Sequence, residues 1–383
     1  MENSRRKFIK NSVAVTTAVA GAAMPGLQSF AAQTASAAAA AADAAQTAAF
    51  AKDGGMQFCL AHFFGLDPTR IALSKQMNVL GAVGGINPQS VGLSNVKNWE
   101  YEAITAVRDF WKKEGITYRV IEGPPSLYEK TKLGLDGKDE EIETFIKFIQ
   151  NLSKAGIDTV CYNWMPVISW ARTKLDAPSR GGALVSTFNY EDVKDKPLTK
   201  YGDFTHETMW KNLEYFLKAV VPEAEKVGVK LALHPDDPPV DKIQGIPRIM
   251  TSANAFKRLI EIVPSPSNGI TLCQGTFATM GEDIPSVIKY FGSRKKIHFV
   301  HFRDVRGNKN NFEETFHDDG KTDMYEAMKT FYEVGFRGPM RPDHVPTVAG
   351  DSNDHAGYSN YGALFAIGYM RGLVESIAKA HGA

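Results

Sequence analysis

From Gly55 onward, short apolar runs alternate with longer stretches whose apolar residues recur every three or four positions. The short runs predict strands at Gln57–Phe63, Val79–Val83, Thr117–Ile121, Thr159–Trp164, Lys230–His234, Gly269–Cys273, Ile297–Phe302 and Gly338–Pro342. Between them, Tyr101–Glu114, Glu140–Ala155, Glu207–Val227, Ala253–Ile262 and Met324–Val334 read as amphipathic helices. Strands apolar at nearly every position are buried on both faces, which is the mark of a parallel sheet covered by helices. Eight of them, each followed by a helical stretch, predict a single-domain (β/α)8 barrel. A doubly wound open sheet shares the alternation, but no glycine-rich fingerprint follows the first strand.

Ahead of this pattern the chain changes character. Ser4-Arg5-Arg6-Lys7-Phe8-Ile9-Lys10 matches a twin-arginine export signal, followed by a weakly apolar Val13–Met24 stretch and small residues near Ala31. The apolar run is too short and too rich in Ala, Thr and Gly to anchor in a bilayer. Residues 1–31 are therefore expected to be a signal peptide, and the mature protein to be periplasmic. Ala-rich residues 32–54 are expected to be a flexible linker, and residues 55–383 the catalytic barrel. No membrane span is expected.

Composition narrows the partner. Of 383 residues, 43% are hydrophobic and 23% charged, with a net charge of +1. That supplies one large core and offers no electrostatic footprint for nucleic acid or an anionic membrane. The partner is expected to be a small molecule in a pocket; barrels of this kind often pair, so a homodimer is carried as a candidate assembly. Three scattered cysteines make no disulfide framework, and Cys59 and Cys161, inside apolar runs, read as buried thiols.

Polar residues at the strand ends carry the candidate chemistry, because those ends converge on the active-site mouth of a barrel. The last four strands end on His234, Cys273, His301 and, just beyond the eighth, Asp343. Two imidazoles, a thiolate and a carboxylate at equivalent positions of adjacent strands form a divalent metal set, and mixed donors with room for substrate suit Mn²⁺ or Fe²⁺. His344 follows a candidate ligand and could serve as acid or base. Glu122 could grip substrate, and Arg172, Arg303 and Arg341 could clamp a carboxylate bidentately, or each could pair structurally. Asp236 or Asp237 could orient a ligand. His298 is out of phase with His301 and should point away from the barrel interior.

Several stretches resemble the mannonate dehydratase family. They are Val160-Cys161-Tyr162-Asn163-Trp164-Met165-Pro166-Val167, Trp170-Ala171-Arg172-Thr173, His234 to Pro239, Gly245-Ile246-Pro247-Arg248-Ile249, Arg341-Pro342-Asp343-His344 and Gly357-Tyr358-Ser359. The likeness runs from about Gly156 to Leu373. It implies a Mn²⁺-dependent lyase on a xylose-isomerase-like barrel, converting D-mannonate to 2-keto-3-deoxy-D-gluconate and water. It also implies metal ligation by His234, Cys273, His301 and Asp343, with His344 and Tyr358 as the catalytic pair. Three features depart from the family: Gly84-Gly85-Ile86-Asn87 stands where His-His-Ile-Pro is usual, the loop at about Lys174–Gly202 is shorter, and an export signal is present. The competing expectations are a sugar isomerase or epimerase on the same barrel, and an exported sugar-acid binding protein without turnover.

Overall fold

A computed structural model describes residues 40 and 44–382. The export motif and the Ala-rich residues up to 39 lie outside the described residues. Eight parallel strands close a barrel: β1 (Gln57–Ala61), β2 (Gly81–Gly84), β3 (Thr117–Glu122), β4 (Thr159–Asn163), β5 (Lys230–His234), β6 (Asn268–Cys273), β7 (Ile297–Phe302) and β8 (Pro339–Pro342). β8 returns to β1, with Gln57 opposite Pro339 and Phe58 opposite Met340.

Side-chain alternation along the strands makes the interior. Cys59, Val83, Val120, Cys161, Ala232 and Phe299 pack together as one buried layer inside the barrel. Two residues further along the same strands, the same parity turns Glu122, Asn163, His234 and His301 inward. Register aligns them: Asn163 lies opposite His234, Cys273 opposite His301, and His301 opposite Arg341. The next level of the barrel interior is thus polar, and it sits at the carboxyl ends of the strands.

Helices cover the outside because their apolar stripes fit the outward faces of the strands. In His206–Val227 the buried residues Met209, Leu213, Phe216, Leu217, Val220, Val221 and Ala224 share one face. Thr205 caps its start by accepting from the Thr208 N–H, and Gly228 (φ 72°) ends it. Among the described residues no helix is long and apolar enough to cross a membrane.

Two findings differ from the sequence pattern. The compact barrel unit starts at Gln46, ahead of Gly55. Residues 46–52 are helical, as alanine favours, and they are tied down. Gln46 donates to the Leu80 carbonyl and to Thr117, Ala49 is buried, and Asp53 pairs with Arg371 at 2.9 Å. The second is a four-stranded antiparallel sheet contributed by the segments that follow β4 and β7. Its order is Val305–Asn308, Asn311–Glu314, Leu184–Asn189, Lys174–Pro178, and Phe312 lies opposite Phe188. It brings Glu314 to the site.

Candidate active site

β5 ends on His234, and its ring is fixed at once by the next residue: Nδ1 donates to the Pro235 carbonyl at 2.7 Å. That leaves a lone pair on Nε2. His301 lies between two carboxylates, its Nε2 3.4 Å from Glu122 and its Nδ1 3.4 Å from Asp343, and its Nδ1 is 3.1 Å from His234 Nε2. Cys273 completes a cluster in which the donor atoms of His234, Cys273 and His301 all lie within 4.8 Å of one another. Asp343 Oδ2 is 3.4 Å from His301 Nδ1 and 4.0 Å from Cys273 Sγ. Bonds of about 2.0–2.3 Å to one ion put neighbouring donors about 3.0–3.7 Å apart; His234, Cys273 and His301 could hold one ion together, and Asp343 stands beside them.

Electrostatics favours the same set. Burial raises the Cys273 thiol, but the Arg303 guanidinium 3.3 Å away and His234 outweigh burial and hold it well below the ordinary thiol range. That shift favours the thiolate, the form that binds metal. Burial and Arg341 oppose charge on His301, yet Glu122 and Asp343 raise it to about 10. His301 thus holds a proton between the two carboxylates, in the place where a metal ion would substitute for it. A second group, Glu122, Cys161 and His301, shares His301. There burial first, and then Glu122, push the Cys161 thiol well above its usual range, so it stays a neutral thiol that accepts from Thr271. Cys59 is buried too, which matches its sequence reading.

The three arginines are not equivalent. Arg172 and Arg303 are fully buried and do not line the cavity. Arg172 donates to both oxygens of Asp237 (2.7 and 2.9 Å) and to Glu314 at 2.6 Å; Arg303 reaches Asp237 at 2.9 Å and Glu314 at 2.6 Å. These donors are spent on an alternating ring of four charges. A Cβ on Gly275 would stand 2.9 Å from the Arg303 side chain, so glycine is what lets Arg303 lie there. Arg341 does line the cavity, held between Glu122 at 2.9 Å and Asp343 at 2.6 Å. Asp236 accepts from the Ile249 and Met250 N–H groups and ties the loop after β5 to itself.

His344 has φ 49°, a conformation that costs a non-glycine residue about 1–3 kcal/mol and persists only where the surroundings fix it. Here Nδ1 donates to Glu314 at 3.1 Å. Glu314 thereby sets the tautomer and leaves Nε2 for the cavity. Tyr358 stands across from it, ring centroids 5.8 Å apart and perpendicular. Loss of hydration, and then the Asp343 carboxylate, push its phenol above the ordinary range. Asn163 accepts from Lys132 and from the Met165 N–H, so its amide nitrogen is left to the cavity it lines.

Asn163 and Glu314 were not singled out by sequence. Asn163 ends β4 on the inward parity and could have been found by that rule. Glu314 had no such signal, since its sheet assembles from distant segments. His298 faces outward, its Nδ1 donating to the Leu231 carbonyl at 3.0 Å, over the space that Gly269 leaves. At Gly84 a Cβ would meet the Tyr118 hydroxyl at 2.8 Å and the His62 carbonyl at 2.9 Å, whereas at Gly85 the nearest atoms are 3.8 Å away. The backbone excludes a side chain at the first glycine and has room for one at the second.

Comparisons with known proteins agree with this geometry. The sequence model for D-mannonate dehydratase (UxuA) matches residues 56–200 and 194–382. Mannonate dehydratase 2 of Halalkalibacterium halodurans is 33% identical over 84% of this chain and 100% of its own length. The mannonate dehydratase of Thermotoga maritima is 36% identical over 79% of this chain and 91% of its own. The crystal structure of mannonate dehydratase from Streptococcus suis serotype 2 superposes with a TM-score of 0.77 at 32% identity, covering 85% of this chain and 95% of that one. A D-tagatose 3-epimerase-like protein, at 14% identity and a TM-score of 0.55, shares the fold. With the barrel, the His234–Cys273–His301 cluster at its mouth and this likeness along nearly its whole described length, the chain belongs to the mannonate dehydratase family.

Proposed function

We propose that this protein is a metal-dependent hydro-lyase that dehydrates a sugar acid, D-mannonate, to 2-keto-3-deoxy-D-gluconate and water. The observation that carries the reading is the pairing of His344 and Tyr358, ring centroids 5.8 Å apart, in a cavity that His234, His301 and Asp343 also line, with Cys273 within reach of the two imidazoles. Loss of water across C2 and C3 needs a proton taken at one carbon and a proton given to the oxygen leaving its neighbour. Two proton-handling groups about one substrate width apart suit that demand.

His234, Cys273, His301 and Asp343 would hold the divalent cation, Mn²⁺ or Fe²⁺. When bound, it supplies Lewis-acid stabilisation of the negative charge that develops next to the substrate carboxylate. Arg341 adds positive charge on the same side. His344 Nε2, its other nitrogen donating to Glu314, takes the C2 proton. Tyr358, whose phenol stays protonated at neutral pH, gives its proton to the departing C3 hydroxyl. The C2–H and C3–O bonds break, an enol forms, and its ketonisation yields the 2-keto-3-deoxy acid. The Asn163 amide nitrogen is available to a substrate hydroxyl.

Export is part of the proposal: Ser4–Lys10 supports a twin-arginine route and a periplasmic site of action. The test of the activity is formation of a 2-keto-3-deoxy acid from a panel of aldonates, with and without Mn²⁺ after chelation. D-Mannonate should be turned over with Mn²⁺ and not without. Tight binding of mannonate with no keto acid formed would replace the lyase by a binding protein.

A further inference from the structure

The cavity is larger and more apolar at its mouth than a six-carbon open-chain acid calls for. It measures about 520 Å³, within the range of about 300–1,000 Å³ that encloses far larger ligands. Its floor carries the polar groups described above. Its rim carries Phe63, Phe64, Trp170, Leu175 and His355. Three of these are well exposed: Phe64 at 53%, Leu175 at 46% and Trp170 at 37%. Large apolar side chains held in water around a hydrophilic site mark contact with a ligand.

These rings are also fixed. Phe64 lies flat on His355, centroids 3.8 Å apart and planes 4° apart, and meets Tyr358 edge-on at 5.5 Å. Trp170 is backed by the Arg172 guanidinium at 4.7 Å, and Arg172 is itself locked in the buried charge ring. A flexible, hydroxylated chain presents no flat apolar face to such rings. A pyranose does: its axial C–H groups form one, and an aromatic face with its negative quadrupole complements it.

We propose that the rim is a glycosyl subsite, and that the substrate class extends to aldonic acids carrying a hexopyranosyl group on a distal hydroxyl. This rests on the dehydratase reading. With C2 and C3 between His344 and Tyr358 and the carboxylate toward the floor, C4 to C6 lead outward. A sugar attached there emerges beside Phe64 and Trp170.

The experiment compares D-mannonate with 4-O- and 6-O-β-D-glucopyranosyl-D-mannonate on the Mn²⁺-loaded protein, measuring kcat/KM by keto-acid formation. At least one glycosylated acid should exceed mannonate by about tenfold. Phe64→Ala should cut that preference about tenfold, and Phe64→Trp should keep it. Turnover of mannonate alone overturns the subsite, as does a Phe64→Ala variant that lowers both substrates equally. If none of the acids is dehydrated, it is the lyase reading that fails, and calorimetric binding of the same three acids then decides the subsite. Tighter binding of a glycosylated acid that Phe64→Ala abolishes upholds it; equal or weaker binding overturns it.

Discussion

Glu314 takes hydrogen bonds from Arg172, Arg303 and His344 on one buried carboxylate. Burial would raise its pKa, but Arg303, His344 and Arg172 overcome this and hold it at about 2, against an ordinary 4.5. A depressed carboxylate stabilises the fold fully above pH 4.5, and that contribution is lost as pH falls from 4.5 toward 2. Glu314→Gln should therefore lower stability at pH 7 by about 3 kcal/mol, since it leaves two buried guanidiniums sharing the one carboxylate of Asp237. It should also flatten the loss between pH 5 and 3 in urea unfolding; parallel pH profiles would show that Glu314 does not carry the charge balance. The acid and base roles separate by a different readout. Tyr358→Phe should lose about 10²–10⁴-fold in turnover yet still exchange the mannonate C2 proton for deuterium, whereas His344→Gln should do neither. The opposite pattern would exchange their roles. The four candidate ligands were legible because strand-end parity is written in the sequence. The settings of Arg172 and Arg303 were not, because their partner Glu314 lies 142 and 11 residues away on a strand that only the fold brings near.

At the scale of elements, the eight barrel strands were legible to within about two residues, because burial on both faces writes itself as an unbroken apolar run. The sheet of Lys174–Pro178, Leu184–Asn189, Val305–Asn308 and Asn311–Glu314 was hidden for the converse reason. Its strands are four to six residues long, half polar, and pair across segments that propensity cannot join. It is joined to the main apolar core through Phe188 and Phe312, ring centroids 5.7 Å apart and both buried. Removing Phe188 should loosen this sheet by about 3–5 kcal/mol without touching the barrel interior. Hydrogen exchange in Phe188→Ala should quicken at residues 184–189 and 305–314 and stay slow in β1–β8. Turnover should fall with it, because Glu314 loses its support. Full activity with a freely exchanging sheet would show that the sheet merely covers the mouth.

For the whole molecule, the proposed export route sets an order of folding, metal loading and transport. The proposed donors come from β5, β6, β7 and the residue just past β8, so a cation site built from them would exist only once the barrel has closed. An unfolded chain carried across a membrane would meet its metals afterwards, in whatever proportion the outer compartment holds. By the Irving–Williams order, a set with imidazole and thiolate donors would then favour copper or zinc over manganese or iron. A route that moves folded proteins lets the cytoplasm decide which ion is enclosed. Arg5-Arg6 should therefore matter for location and not for catalysis, since they lie far in sequence from every candidate site residue. Changing both to lysine should leave the protein unprocessed in the cytoplasmic fraction, with mannonate dehydration in the extract equal to that of the parent once Mn²⁺ is added. Processing and periplasmic recovery at parental levels would mean that another feature of the chain addresses it.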